Sequence, residues 1–268
     1  RGKKCLYISC ENSEDEIADR LDSILTGSPI RSLYAHRKEV FDKLEGKEAI
    51  GVKDDGEPVY FNKEENLIVI KKFPQKSADV NTVRAYLTQL ELRGYIPDLV
   101  VIDYVGEMKD FPGMKIYESR EKLIDELTGL ADEKRFFLLT ALQPNRDGKE
   151  AQEGFGHLGQ ANMADSFGQM RPLFGCLTLN QNEREAKMNC GRGWMEKQRN
   201  GRKHYQFFLN FDHDTLKISE ISQQTYKDRM SSQTKSVVGN IEIDSVKVID
   251  SKNENNIVDN VVKKYKPS

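Results

Sequence analysis

Four short apolar runs punctuate the first half of the chain, separated by stretches whose apolar positions recur three or four residues apart. The runs are Cys5-Leu6-Tyr7-Ile8-Ser9-Cys10, Leu67-Ile68-Val69-Ile70, Leu99-Val100-Val101-Ile102 and Phe136-Phe137-Leu138-Leu139-Thr140-Ala141-Leu142. Their aliphatic and β-branched content predicts buried strands. After the first run, Ile17, Leu21 and Leu25 predict a helix opened by a capping box of Ser13 and Glu16. Ser28-Pro29 predicts the start of a second helix carrying Ile30, Leu33, Tyr34, Val40, Phe41 and Leu44. Residues 47–66 are polar, and Ile50-Gly51-Val52 and Val59-Tyr60-Phe61 around Asp54-Asp55-Gly56 predict a surface hairpin. Val80, Val83, Tyr86, Leu87, Leu90 and Leu92 mark an amphipathic helix that ends at Gly94, and a further helix is expected over 118–134. Strand, helix, strand in this order is the right-handed parallel unit, so the fold class is α/β with a mostly parallel sheet.

The second half reads differently. Residues 173–179 and 194–196 predict strands joined by a charged stretch, 180–187, of helical character. Residues 205–211 and 216–218 pair as a terminal antiparallel hairpin, with Asp212-His213-Asp214 as its turn. From Ser222 the composition shifts to Ser, Gln, Asn, Lys and Asp, which predicts a disordered C-terminal tail over 222–268 with partner-docking segments at 241–249 and 257–262. The domain reading is one folded domain over 1–221 followed by that tail.

Composition adds bounds. With 268 residues, 37% apolar and 31% charged, the chain has the make-up of a globular protein with one large core or two small ones. No apolar run approaches the roughly 18 residues of a helical membrane span, and Arg1-Gly2-Lys3-Lys4 leads into a strand instead of a signal-peptide core, so a cytoplasmic location and no membrane partner are expected. A net charge of −2 confines any polyanion site to a local patch. Cys5, Cys10, Cys176 and Cys190 match no zinc spacing and read as reduced core thiols; the four histidines are scattered.

Candidate chemistry gathers at strand ends. Ligands of open parallel sheets lie beyond the carboxyl ends of the strands. Glu11, Asp103 and Gln143 follow or close three of the predicted strands. Phosphoanhydride hydrolysis asks for a carboxylate to polarise water, an acid to hold Mg²⁺ and a neutral group that senses the γ-phosphate, and each type is present once. Two plainer readings stand beside this one: Asp103 as a turn-starting acid, and Glu11 as a carboxylate opening a helix. Farther along, Glu196-Lys197-Gln198-Arg199-Asn200-Gly201-Arg202 sets Lys197 and Arg199 on one face of an extended segment ahead of an Asn-Gly turn. Such a pair reaches a neighbouring subunit's nucleotide, or else simply guards an edge strand against aggregation.

Four of these stretches, in this order, resemble the successive motifs of the DnaB-type replicative helicases: Tyr7 to Glu14, Val101-Ile102-Asp103-Tyr104, Leu142-Gln143-Pro144-Asn145-Arg146 and Lys197-Gln198-Arg199-Asn200-Gly201. Residues 69–79 with the helix after them, and Asn162-Met163-Ala164-Asp165-Ser166, are similar to the replicative helicases of the T-even bacteriophages in particular. The resemblance implies a RecA-like, P-loop NTPase core that forms a homo-hexamer with ATP and Mg²⁺ between subunits and single-stranded DNA in the channel, and with primase and a helicase loader as partners. In that frame Glu11 orients water, Asp103 is the Walker B acid on Mg²⁺ through water, Gln143 senses the γ-phosphate, and Lys197 and Arg199 act in trans. The resemblance also makes 106–120 and 146–165 pore loops, with Lys109, Lys115, Arg146 and Lys149 as candidates for DNA phosphates.

One departure stands against these matches. The phosphate loop Gly-x-x-x-x-Gly-Lys-Ser/Thr occurs nowhere in the 268 residues. The expectation is therefore a truncated view of a motor domain, with a sheet whose central strand lacks a neighbour and with weak ATP binding. A non-catalytic RecA-like scaffold, and a recombinase- or clock-type ATPase, are the competing readings; the latter does not predict Lys197-Gln198-Arg199-Asn200-Gly201.

Overall fold

A computed structural model of the chain describes residues 3–52, 56–60, 68–143, 156–158 and 170–238. The first run forms β1 (Cys5–Ser9), and helix α1 (Glu14–Thr26) follows with the expected capping box, Ser13 Oγ accepting from the Glu16 amide. Gly27, at φ 66°, ends α1 in the left-handed conformation. The second helix starts later than the Ser28-Pro29 signal. Pro29 leads only into a 3₁₀ turn, Ile30–Ser32, and α2 spans Arg37–Leu44. Leu33 before it and Val40 within it are buried, whereas Tyr34 and Phe41 face solvent, so too little apolar surface is buried to extend a regular helix back to Pro29.

The polar stretch supplies the hairpin β2 (Ala49–Val52) and β3 (Pro58–Tyr60), paired antiparallel. Then come β4 (Ile68–Lys72), α3 (Val80–Leu92), β5 (Leu99–Asp103), α4 (Ile116–Lys134) and β6 (Phe137–Thr140). Asp79 caps α3 through a 2.8 Å bond from the Thr82 amide, and Gly94 at φ 78° turns the chain toward β5.

Strands β4, β1, β5 and β6 lie side by side in that order, all parallel, with Leu6 opposite Val100 and Ser9 opposite Asp103. The central strand therefore has neighbours on both sides, contrary to expectation, because β1 and β6 flank it. The outer edge of β6 is unpaired among the described residues. One face of the sheet, through Leu6, Ile8, Val100 and Ile102, packs on Val83 and Leu87 of α3 and on Leu123 and Leu127 of α4. These side chains are at most 1% exposed, and each contributes on the order of 1.5–3 kcal/mol by leaving water. On the opposite face Phe137 and Leu139 of β6 stay 62% and 51% exposed.

A second, antiparallel sheet follows: β7 (Gly175–Asn180), the short helix α5 (Glu183–Lys187), β8 (Cys190–Gln198), β9 (Tyr205–Phe211) and β10 (Ile218–Ile221), in the order β10-β9-β8-β7. Asp212 makes the predicted turn, its carboxylate accepting from the amides of Asp214 and Thr215. Gly193 in β8 makes room for the Phe207 ring, which an added Cβ would approach to 2.1 Å and displace.

Helix α6 (Gln223–Val238) occupies the start of the segment expected to be disordered, and the compact body extends to Met230. Tyr226 and Met230, four residues apart, bury one helical face against Cys190, Phe208 and Ile221. The segments 241–249 and 257–262 lie outside the described residues. Cys10 and Cys190 are buried free thiols, whereas Cys5 and Cys176 are partly exposed ones. No helix among the described residues is long and apolar enough to cross a membrane.

Candidate nucleotide site

Because β1, β5 and β6 are parallel neighbours, their carboxyl ends open on one edge. Glu11 lies just beyond β1, Asp103 closes β5, and Gln143 lies just beyond β6. Backbone bonds pin these ends. The Cys10 amide donates to the Asp103 carbonyl at 2.9 Å, and Thr140 Oγ1 donates to the Ile102 carbonyl at 2.8 Å. Ser9 Oγ both donates to the Asn12 carbonyl and accepts from the Asn12 amide, making the tight turn on which Glu11 sits exposed.

Asp103 is half-buried. Its Oδ2 accepts a 2.6 Å hydrogen bond from the phenol of Tyr7, which lies diagonally across from it on the same face of the sheet. Among the described residues that is the carboxylate's side-chain partner, and Oδ1 is left open. Burial, then the Asp103 hydrogen bond and charge, push the Tyr7 phenol well above its usual range, so it stays a donor. The neighbouring Cys10 thiol is pushed up to about 11, by burial first and then by the charges of Asp103 and Glu107. It is an inert thiol at neutral pH. Sequence reasoning missed Tyr7. Its signal was an aromatic hydroxyl inside an apolar strand, in register to meet an acid on the neighbouring one.

The chain beyond Asp103 is held tightly. A 3₁₀ turn spans Val105–Glu107, the Tyr104 hydroxyl donates to Glu107 at 3.0 Å, and Lys76 Nζ donates to the Gly106 carbonyl at 2.6 Å. A Cβ at Gly106 would lie 2.6 Å from the Tyr104 ring, so a side chain here would have to displace that ring. The Lys109 amide donates to the Ala78 carbonyl at 2.8 Å, while its side chain is exposed. Lys115 is also exposed, and its ammonium lies 5.6 Å from the Tyr117 ring centroid. The Tyr117 hydroxyl, the Tyr117 charge and then the Glu118 charge raise the Lys115 pKa. Arg146 and Lys149 lie outside the described residues.

Lys197 and Arg199 sit at the far end of β8, on the other sheet. Lys197 Nζ donates to the carbonyls of Met170 at 2.7 Å and Arg171 at 3.0 Å. Arg199 reaches the Pro172 carbonyl at 3.4 Å and lies over the Phe174 ring. Burial, and then the adjacent Arg199 charge, hold the Lys197 ammonium below its usual range. At the opposite end of β8, Arg192 is fully buried. Its guanidinium grips Glu185 of α5 through two bonds of 2.6 and 3.1 Å and donates to the Gly156 carbonyl at 2.7 Å, and the Tyr226 phenol completes the cluster at 2.6 Å from Glu185.

Among the described residues no three carboxylate, His or Cys groups converge on a possible metal position. The donor set nevertheless suits the acid half of a Mg²⁺ site, because Mg²⁺ is ordinarily held by one or two carboxylates with water and phosphate oxygens. Asp103 supplies such a carboxylate with one oxygen open. The phosphate-cradling half has no counterpart in the sequence.

The chain is 26% identical over 179 residues, 62% of its length, to the DnaB-like replicative helicase of Enterobacteria phage T4. Over that stretch the chain is similar in sequence to a DnaB-like replicative helicase. The matched region spans 34% of the T4 protein. Among solved structures, an ATPase domain superposes with a TM-score of 0.63 at 16% identity, covering 82% of this chain and 75% of that one. A DnaB-like replicative helicase studied for its interactions with primase gives the same TM-score and identity, with 51% of its chain covered. These likenesses establish that the chain shares its fold with these two solved structures. No family model matches the chain.

Proposed function

We propose that the chain forms the greater part of an ATP-driven motor domain that works in a hexameric ring on single-stranded DNA and unwinds duplex at a replication fork. The observation that carries this reading is the adjacency of the three strand ends, which puts Glu11, Asp103 and Gln143 on one edge of the parallel sheet. A Mg²⁺ ion held there would supply positive charge against the phosphates of ATP. Asp103, fixed by Tyr7, offers its open oxygen to the metal's water shell. Glu11 holds the attacking water and takes up its proton, and Gln143 reads the terminal phosphate through its amide. Lys197 and Arg199 serve the nucleotide of the adjacent subunit. Lys109 and Lys115, with Arg146 and Lys149, meet DNA phosphates; primase and a loader are the expected further partners.

On this account turnover requires a phosphate loop contributed from outside these 268 residues. Glu11→Gln in a ring containing such a loop should abolish DNA-stimulated ATP hydrolysis and leave assembly intact; full activity in that variant would overturn the assignment of Glu11. The absent Gly-x-x-x-x-Gly-Lys-Ser/Thr motif favours a second reading, a RecA-like scaffold without catalysis. Rings that assemble but hydrolyse nothing when supplied with a phosphate loop would support it.

A further inference from the structure

Arg120, one turn into α4, stands near the strand ends with no acceptor for its guanidinium. Its Nη2 lies 3.7 Å from the position that a Gly106 Cβ would take. Among the described residues it makes no hydrogen bond and no ion pair, and its Nε is sealed from water. The two Nη groups are not sealed, and the residue is partly exposed. The acids of the same segment are committed elsewhere. Glu107 accepts from the Tyr104 hydroxyl at 3.0 Å, while Asp110 pairs with Lys76 at 3.1 Å and accepts from Ser119 Oγ at 3.4 Å. Ser119 Oγ also accepts from the Phe111 amide at 2.8 Å, which pins the segment to α4 beside the arginine. Buried donors are almost always paired, and a cation partly stripped of water without a counter-ion costs stability. Such a cost is tolerated where a ligand supplies the counter-ion.

The face of the sheet decides which anion. Helix α4 packs on the face that carries Leu6, Ile8, Val100 and Ile102, whereas the Asp103 carboxylate meets Tyr7 on the other face. Arg120 is therefore set apart from the metal position and lies against Gly106, at the base of the segment that carries the exposed Lys109 and Lys115. We propose that Arg120 holds a backbone phosphate of single-stranded DNA through its two Nη groups. The inference rests on the proposed function, which brings DNA to this segment. A phosphodiester offers two oxygens to the planar fork, and a guanidinium already short of water gives up less hydration on binding than an exposed lysine does.

Two measurements test this. Arg120→Met keeps the aliphatic stem and removes the charge, so in the 268-residue chain its urea midpoint should rise or stay level, because no protein acceptor is lost. A lower midpoint would mean that the guanidinium serves the fold, and would overturn the assignment. In rings supplied with a phosphate loop, binding of fluorescent oligothymidylate is then followed as salt is raised. Arg120→Met should reduce the slope of log K against log salt by about 0.7, the share of one single-strand phosphate contact, and Arg120→Lys should restore it. Affinity for a non-hydrolysable ATP analogue should be the same in all three proteins. A wild-type slope in Arg120→Met, or a loss of analogue affinity in its place, would overturn the proposal while leaving the motor reading intact. Wild-type rings that bind no oligothymidylate would overturn both. Rings that show the Arg120-dependent slope but hydrolyse no ATP would refute the proposed function alone.

Discussion

Removing the Tyr7 hydroxyl probes the side chain that, among the described residues, fixes Asp103. In Tyr7→Phe the ring still packs, so no cavity forms and the change isolates the 2.6 Å hydrogen bond to Oδ2. A hydrogen bond to a charged group contributes about 1.5–3 kcal/mol when shielded from solvent. Both side chains are half-buried, so water replaces part of the lost bond, and the expected cost is about 1–2 kcal/mol. Urea unfolding followed by the fluorescence of Trp194, the sole tryptophan, gives the cost directly. A cycle with Asp103→Ala should return a coupling of about 1 kcal/mol between the two positions. Coupling below about 0.3 kcal/mol would mean that the phenol does not hold the carboxylate, and the orientation argument for the site would fail.

Other consequences follow from the buried groups. Glu185→Gln leaves Arg192 charged and buried without its counter-ion, so chemical denaturation should show a loss of about 3–5 kcal/mol, whereas replacing both with leucine should recover most of it. Burial, and then the hydrogen bond to Glu185 and its charge, raise the Tyr226 pKa. Folding keeps this phenol neutral, so its stabilisation is complete below the ordinary tyrosine value of about 10 and is lost as pH rises toward the higher folded value. The stability gap between wild type and Tyr226→Phe should thus shrink in alkaline urea titrations; a gap that widens above that pH would contradict the sign. Gly106→Ala forces the Tyr104 ring to move and should cost about 1–3 kcal/mol in thermal or urea unfolding, with no loss if the ring swings freely away.

How far the sequence foretold this molecule differs from element to element. The parallel strands were legible because runs such as Leu99-Val100-Val101-Ile102 are continuously apolar, even though only Val100 and Ile102 are buried and Leu99 and Val101 on the other face are partly exposed. Gly94, Ser13 and Asp212 marked real chain reversals or caps through their own local chemistry. Strand order was not local information. That β5 lies between β1 and β6, giving the central strand two partners, depends on pairing across distant segments. Helix α6 escaped notice because, among its residues of described burial, Tyr226 and Met230 are the large apolar ones that are buried and the others are mostly polar. At the candidate site, Glu11, Asp103 and Gln143 stood out as polar residues following apolar runs. Tyr7 did not, since its hydroxyl acquires meaning only through the register that sets Ser9 opposite Asp103. The contact of Lys197 with Met170 joins residues far apart in sequence, and no motif announces it.

The most direct test of the motor reading is DNA-stimulated ATP hydrolysis in mixed rings, built from subunits that carry a phosphate loop and either Glu11→Gln or Arg199→Ala. Each variant alone should be inactive, because one lacks the group that activates water and the other lacks the cation offered to its neighbour. Mixed rings should regain activity wherever an intact Glu11 meets an intact Arg199 across a subunit boundary. Mixed rings as inactive as their parents, beside active wild-type rings, would contradict a site shared between subunits.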